Sequence, residues 1–513
     1  MSDFPWLSVL VGVPAVGALL VGLVPRQRGV LAKALGLSVS LLTLGLTIVV
    51  ALLYRAGEGQ FRLTEQYGWV ERFGLYWSLG VDGVALALIA LTAVVTPVVL
   101  VGGWDEAEPT GRSGKGFVFL VLVLEAMTLG AFAATDVLAF YILFEAMLVP
   151  MYLLIGSYGG PRRSYAAVKF LLYNLLGGLV MLAAVIGLYA QSATLRPGGG
   201  TFLLSELVGL PMSAQAQYWI FAGFMVAFAI KAPLWPFHSW LPDAAGEATP
   251  STAAFLSGVM DKVGTFGMIH LCLPLFPQAA RDLAPVIVTL AVVSILYGAL
   301  VAIGQSDMIR LVAYASISHF GFIVLGIFAL TSQGGAGATL YMVNHGLSTV
   351  ALFLVVGFLV TRRGSRAIAD FGGVQRPAPV LAGVLLVVAL ATLSLPGLAT
   401  FVSEFLVLVG TFTRYPVAAV FAVLGVVLAA VYTLWMYQRV MTGPVHPTTE
   451  GMRDMRGREA LAVAPLLALL LVLGLYPKPL LDVINEGVAP TLAQVDVVDP
   501  EPVAPATAEG ATE

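Results

Sequence analysis

The sequence predicts an all-α polytopic membrane protein with fourteen transmembrane helices. Hydrophobic residues make up 59% of the 513 residues and charged residues only 11%, whereas soluble domains carry about 25% charged residues. The apolar residues form long continuous runs, and a helix that crosses a bilayer needs about 20 such residues. The strands of a membrane β-barrel would instead be short and would alternate between apolar and polar residues.

Composition also excludes several other classes of protein. A soluble enzyme of this length could not cover its surface with so few charges, and disordered chains are polar and highly charged. The net charge of −3 argues against nucleic-acid binding, which depends on an excess of basic residues. The single cysteine, Cys272, excludes a disulfide framework, a cysteine zinc site and an iron–sulfur cluster.

Fourteen apolar runs are the predicted helices, numbered 1 to 14 in chain order. They cover residues 6–24, 30–54, 83–102, 115–134, 137–157, 165–189, 217–239, 251–273, 284–303, 309–330, 337–361, 379–404, 416–438 and 460–480. The first run is predicted to be a retained helix, because Met-Ser-Asp-Phe precedes it in place of the basic leader of a signal peptide.

The connections between these runs predict the orientation of the chain. Of the 26 lysines and arginines, 16 lie in connections after odd-numbered helices, 7 lie after even-numbered helices or in the tail, and 3 lie within helices. By the positive-inside rule, both termini should lie outside the cytoplasm, with the protein in the cell inner (cytoplasmic) membrane. The acidic, alanine- and proline-rich tail at 482–513 is predicted to be a disordered extension, unless it orders against a partner.

Eleven ionisable side chains within or at the ends of the predicted helices are the candidates for a functional role. A charge at the bilayer centre costs about 2.5–3.5 kcal/mol on insertion scales, so each one needs an explanation. Asp136 sits at a helix boundary and is predicted to be an ordinary cap, and His270 is expected near a helix end. The full set is Glu125, Asp136, Glu145, Lys231, His238, Asp261, Lys262, His270, His319, His345 and Glu404.

Glu145 and Lys231 are opposite charges in the middle of helices 5 and 7, which predicts a buried pair. One interpretation is a static salt bridge between two helices. The other is that Glu145 tunes the proton affinity of Lys231, since desolvation disfavours a charged amine and a nearby carboxylate favours it. Arginine could not take this role, because it stays protonated.

Prolines predict breaks in helices 7 and 12. Pro233 and Pro236 follow Lys231, and Pro396 precedes Glu404. Each proline lacks an amide hydrogen, so the break is either a packing kink or an opening onto a watery cavity. Helices 7 and 12 cross in opposite directions, and two such interrupted helices are the pattern of an inverted-repeat transporter.

Lys262, His319 and His345 lie on neighbouring helices and are predicted to form a proton relay with Glu145, Lys231 and Glu404. Histidine exchanges protons near neutral pH, and water can bridge the gaps. Glu125, His238 and Asp261 are weaker candidates for the same relay. A histidine metal site is the competing interpretation, but no helix carries histidines four residues apart, so no metal is expected.

Four segments resemble the antiporter-like subunits of respiratory NADH:quinone oxidoreductase. The resemblance covers nearly the whole chain, and the lysine–proline–tryptophan segment is specific to that superfamily. The segments are Leu-Glu-Ala-Met-Thr-Leu-Gly-Ala-Phe (124–132), Phe-Glu-Ala-Met-Leu-Val-Pro-Met-Tyr (144–152), Lys-Ala-Pro-Leu-Trp-Pro-Phe-His-Ser-Trp-Leu-Pro-Asp-Ala (231–244) and Ala-Tyr-Ala-Ser-Ile-Ser-His (313–319).

The resemblance implies two inverted five-helix repeats and proton pumping along a hydrophilic axis. Glu145 and Lys231 match the family's helix-5/helix-7 pair, Lys262 its central lysine, and His319 and His345 its relay positions. Glu404 matches a helix-12 glutamate of one class of these subunits, whereas sister classes usually carry lysine there. The implied divisions are 1–114 (helices 1–3), 115–273 (first repeat), 284–438 (second repeat), 439–481 (loop and helix 14) and the tail at 482–513.

The resemblance also implies the partners of the chain. It predicts no cofactor in this chain, with NAD, FMN, iron–sulfur clusters and quinone in partner subunits. The expected neighbours are antiporter-like subunits of the L and N classes, together with lipid, and no nucleic acid. The alternative is a subunit of a multi-subunit sodium/proton antiporter, which has no electron-transfer partner.

Overall fold

The computed structural model describes residues 4–54 and 60–499. Eleven helices in this part of the chain are long and apolar enough to cross a membrane, so the protein is mostly helical and polytopic. In chain order the helices are α1 (Trp6–Leu23), α2 (Gly29–Leu53), α3 (Gly83–Gly102), α4 (Gly114–Ala133), α5 (Val137–Tyr158), α6 (Arg163–Leu195), α7a (Ala214–Lys231), α7b (Leu241–Glu247), α8 (250–275), α9 (Pro277–Ile303), α10 (Met308–Phe328), α11 (Ser332–Arg363), α12a (Pro379–Thr392), α12b (Ala399–Phe412), α13 (Pro416–Met441), α14 (Gly457–Leu475) and α15 (Lys478–Gln494).

The seventh predicted helix is interrupted where its prolines fall. α7a ends at Lys231, and Pro233 and Pro236 lie in the connection to α7b. Pro233 has no amide hydrogen to donate to the Ala229 carbonyl four residues earlier. That carbonyl instead accepts a hydrogen bond from the Leu234 amide at 2.9 Å. The break therefore leaves this backbone group satisfied inside the protein, as the membrane interior requires.

The eighth and twelfth predicted helices also depart from regular geometry. α12a ends at Thr392, and Pro396 lies in the short connection before α12b. α8 remains helical but widens into π-helical turns at 256–260 and 268–272. Turns of this kind occur frequently at functional sites, because they redirect side chains within a helix.

A β-hairpin lies between α2 and α3, which the expectation of an all-α protein missed. β1 (Arg62–Val70) and β2 (Leu75–Val81) pair antiparallel, with Tyr67 opposite Trp77. The segment lies outside the predicted spans, and its two strands satisfy each other's backbone groups. The protein is therefore mostly helical with one small sheet.

A helix also replaces part of the predicted disordered tail. Lys478–Gln494 forms α15, which packs against α3, α8 and α11, so the expectation of disorder from residue 482 is wrong up to residue 494. This segment is amphipathic, because apolar residues recur at helical spacing on one face of the helix. Residues 500–513 of the predicted tail lie outside the described residues. The buried residues of α15 are Ile484, Gly487, Val488, Thr491 and Leu492.

The ends of the helices form two faces. We call the side that carries β1, β2 and α15 the hairpin face. The opposite side, which carries the connections at 103–113 and 442–456, is the loop face. α3 joins the two, since it begins after β2 and ends at Gly102.

α10 and α11 form the centre of the protein. In the apolar 18-residue stretch of each helix, 94% of the residues are buried, compared with 22% in α14. Peripheral helices such as α6 and α13 expose large apolar side chains, including Leu172 and Val417. Apolar residues on the outside suit a hydrocarbon solvent, so the polar residues of this protein concentrate inside, on α8, α10 and α11.

Substitution of Gly83 by alanine should loosen α15. A Cβ at Gly83 would lie 1.7 Å from the Val483 carbonyl oxygen, which belongs to the backbone of α15 and cannot turn aside. We expect a loss of about 1–3 kcal/mol, as for other overpacked sites, measured as a lower Tm of the purified assembly and faster proteolysis within α15. Gly45→Ala is the control, because a Cβ at that helical position meets nothing within 4 Å. Equal Tm values for the two variants would contradict the expectation.

Candidate functional site

Glu145 lies on α5 next to an interruption of that helix. The helical segments Val137–Ala146 and Leu148–Tyr158 meet at Met147. The carboxyl group packs against Gly178 of α6, where a Cβ would lie 2.0 Å from Oε1. Glu145 is only half-buried, so part of it faces the outside of the chain at membrane depth.

Lys231 is the last residue of α7a and lies near Glu145. Its Nζ is 4.8 Å from the centroid of the Phe144 ring. Within the described residues, neither Lys231 Nζ nor Glu145 Oε1 has a hydrogen-bond partner. The two charges interact electrostatically without a direct bond. The two predicted partners are therefore neighbours without a direct hydrogen bond, and each has a polar atom that lacks a hydrogen-bond partner in the described chain.

Asp261 and Lys262 of α8 continue a row of ionisable side chains that begins with Glu145 and Lys231. We call this set of side chains the row. Gly264 allows α8 to approach α7a closely, since a Cβ there would lie 3.1 Å from Lys231 Cβ. Asp261 is fully buried, interacts electrostatically with both Lys231 and Lys262, and has no hydrogen-bond partner on either oxygen within the described chain. Lys262 donates to the Ser257 carbonyl, which lies in the first π-helical segment.

The row crosses from α8 to α11 and α10 through two histidines. Lys262 Nζ lies 2.9 Å from His345 Nδ1. The rings of His345 and His319 are 5.3 Å apart between centroids. His319 Nδ1 lies 2.7 Å from the Tyr341 hydroxyl, and Tyr341 interacts electrostatically with the Glu404 carboxyl.

Tyr341 belongs to this row but was not predicted from the sequence. It is fully buried and joins His319 to Glu404. The signal was present, because Tyr341 precedes His345 by four residues and side chains at that spacing share one helix face. Tyr432 of α13 was also missed, and its hydroxyl lies 3.4 Å from His319 Nε2.

Four of the ionisable residues lie away from this row. Asp136 caps α5 as predicted, accepting from the Leu138 and Ala139 amides. His238 lies in the break of α7, against the Tyr297 ring. Two further residues are buried elsewhere: Glu125, whose neighbour is Thr96 of α3, and His270, which contacts Asp82 at 2.9 Å near the hairpin face.

The geometry suits proton exchange through water. Buried polar atoms in folded proteins are normally hydrogen-bonded, and ordered water satisfies those that lack a protein partner. Within the described residues, unpartnered atoms cluster along the row, on Glu145, Lys231, Asp261 and His345. No group of three or more metal-binding side chains occurs in this part of the chain.

This fold and site belong to one class of membrane protein. The family model described as "NADH:quinone oxidoreductase/Mrp antiporter, TM" matches residues 134–429. The chain therefore belongs to this family of antiporter-like membrane proteins.

Two relatives in this family are similar to the chain over nearly its whole length. NADH-quinone oxidoreductase subunit M of Mycobacterium tuberculosis is 54% identical, over 98% of this chain and 96% of its own length. NADH-ubiquinone oxidoreductase chain 4 of Arabidopsis thaliana is 34% identical, over 94% of this chain and 96% of its own length. This agrees with Glu404, the residue that favoured the M class over its sister classes.

Solved structures show the same fold. A chain of respiratory complex I from Thermus thermophilus superposes with a TM-score of 0.86 at 32% identity, covering 95% of this chain and 99% of that chain. A chain of the Mrp complex from a Dietzia species has a TM-score of 0.85 at 21% identity, covering 96% and 99%. At that identity the second likeness shows the fold alone.

A high-resolution map of the assembled protein should show ordered water between Glu145 and Lys231 and around Asp261. The reason is that these buried polar atoms have no protein partner, and leaving one unsatisfied costs about 1–3 kcal/mol. The aromatic cluster of Phe140 and Phe228 is an internal control and should stay dry. Dry apolar packing around all three ionisable groups would contradict the expectation.

Proposed function

We propose that this chain translocates protons as an M-class membrane-arm subunit of NADH:quinone oxidoreductase. One observation carries the proposal: an almost continuous row of exchangeable groups runs from Lys262 through His345, His319 and Tyr341 to Glu404. Side chains of this kind are expensive inside a membrane, where they mark proton relays. Membership of the family supports the proposal independently.

The architecture proposed for this function has fourteen transmembrane helices in two inverted five-helix repeats, α4–α8 and α9–α13. The interruptions of α7 and α12 support it. An ionisable residue lies beside each interruption, with Lys231 at the end of α7a and Glu404 on α12b. In inverted-repeat transporters, broken helices of opposite sense flank the site of transport.

The first step of the mechanism is a change of charge beside Glu145. This carboxyl is half-buried at membrane depth, so a neighbouring subunit can reach it. Glu145 and Lys231 share no direct bond, so a change of partner around Glu145 alters how strongly the carboxylate favours protonated Lys231. A static salt bridge would hold both charges fixed and would have no such freedom.

The second step is proton transfer along the row. Lys231 releases its proton through water past Asp261 to Lys262, which interacts with that carboxyl and lies in hydrogen-bond contact with His345. His345 and His319 pass the proton on, and the Tyr341 hydroxyl links His319 to Glu404. A hydroxyl can both donate and accept, so it relays a proton without holding a charge.

The proposed partners follow from the similarity of this chain to subunits of NADH-quinone oxidoreductase. We infer that NAD, FMN, iron–sulfur clusters and quinone belong to partner subunits, and that L- and N-class subunits flank this chain in the membrane. The excess of basic residues in the odd-numbered connections supports an orientation with the loop face in the cytoplasm and both termini outside it. A subunit of a sodium/proton antiporter is the second candidate, and co-purification without flavin and iron–sulfur subunits would support that candidate instead.

Substitution of Lys231 by alanine should abolish coupled pumping while the complex still assembles. A positioned proton-transfer group contributes roughly 100-fold or more to a rate, and Lys231→Arg should fail as well, because arginine does not release its proton. The measurement is NADH-driven acidification of inverted membrane vesicles, with NADH oxidation by an artificial acceptor as the test of assembly. Lys478→Ala is the control, since that lysine is exposed and paired with Asp482. Wild-type pumping by an assembled Lys231→Ala complex would remove the mechanism.

Substitution of Tyr341 by phenylalanine should slow pumping and preserve the fold. The change removes one hydroxyl and keeps the ring, so the hydrogen bond to His319 and the polar contact toward Glu404 are lost at little cost in packing. We expect roughly a tenfold lower initial rate of proton transport, in the same vesicle assay. Tyr437→Phe is the matched control, on the partly buried surface of α13. Equal rates for both variants would show that the proton does not pass Tyr341.

A further inference from the structure

A large cavity lined by both charged and apolar residues opens on the loop face. Its volume is about 960 Å³, and we call it the vestibule. It is lined by the connection after α3, the end of α5, the junction of α7b and α8, the end of α11 and the segment before α14. The start of α8 therefore forms part of its wall, and α8 carries Lys262 further inside.

The charges of the vestibule are balanced. Five arginines and five carboxylates line it, so neither a small anion nor a small cation finds a site of one sign there. Four of the carboxylates have a basic partner within 4.0 Å: Asp105, Glu108, Glu247 and Glu459.

Glu106 is the fifth carboxylate and differs from the others. Among the described residues it has no ion-pair partner, and it accepts hydrogen bonds from the Ser251 amide and hydroxyl at 3.0–3.2 Å. Burial raises the pKa of the Glu106 carboxyl above its usual value, although hydrogen bonds from Thr249 and Ser251 lower it in part. Glu106 is therefore the vestibule carboxyl whose surroundings suit it to take up and release protons.

Polar groups continue from this carboxyl toward Lys262. Lys262 follows Ser251 by eleven residues, roughly 16 Å along a helix. Ser257 lies between them; its hydroxyl is fully buried without a partner in the described chain, and its carbonyl accepts from Lys262. Glu125, on the adjacent α4, also has both oxygens unpartnered there. Unsatisfied groups at this depth are positions for internal water.

We propose that Glu106 collects protons at the floor of the vestibule and delivers them along the start of α8, past Ser257, to Lys262. The inference rests on the proposed function. It adds Glu106 as the residue that supplies protons to Lys262 from the loop face. In this inference, Glu106 exchanges the proton that moves inward from the vestibule, and the four paired carboxylates take no part.

The test compares Glu106→Gln with Glu106→Asp in the complete complex. Glutamine keeps an acceptor for Ser251 but cannot exchange a proton, so initial pumping should fall roughly tenfold, and the loss should grow as the pH on the loop face rises. Aspartate retains the carboxyl and should restore most of the rate, with a displaced pH profile. Glu108→Gln is the matched control, because Glu108 is exposed in the same connection and already paired with Lys33.

The outcomes separate this inference from the function on which it rests. Wild-type rate and pH profile in an assembled Glu106→Gln complex would overturn the inference, and the function would stand if Lys231→Ala still failed to pump. If both variants pumped normally, both would fall. Should Glu106→Gln fail to assemble, Glu106→Cys gives a second measurement, because Cys272 is buried. A membrane-impermeant thiol reagent on the loop face should label the new cysteine and slow pumping, and an unlabelled chain would overturn the inference.

Discussion

The contact between α8 and α11 is the feature on which the rest of the site depends. Gly258 and Gly346 face each other, and a Cβ on Gly346 would lie 2.8 Å from the Gly258 carbonyl oxygen. Small residues of this kind let two membrane helices approach closely. The close approach brings Lys262 to His345, and through that one hydrogen bond the charged groups of α5, α7a and α8 meet those of α10, α11 and α12b. Larger side chains at the glycines would part the helices and divide the row in two.

Much of this arrangement could be predicted from local chemistry. Charges stand out in apolar runs, so Glu145, Lys231 and Lys262 were identifiable from hydropathy alone. A proline acts on its own helix, so the break after Lys231 was identifiable as well. Positions four residues apart share a helix face, which also made Tyr341 accessible in principle, although an aromatic residue in a membrane helix carries no signal that separates a relay from packing.

The remainder depends on contacts that sequence does not reveal. α15 is acidic, and its apolar stripe matters only because α3 and α11 offer a surface for it. The β-hairpin is short, and its largely buried second strand packs against α4 and α5, which the sequence of the hairpin does not indicate. Asp261 adjoins Lys262 in the sequence, and only the close packing of α7a on α8 brings it to Lys231 as well. Glu106 gave no signal, because a carboxylate in a polar connection is ordinary until a cavity forms around it.

The incomplete burial of Glu145 has a consequence for biogenesis. A freshly inserted chain without neighbours would present a carboxyl group to lipid tails, next to the weakened turn at Met147. Covering that side chain with an adjacent subunit would release free energy, so the same partly exposed glutamate favours assembly of the chain with a neighbour over its persistence alone in lipid.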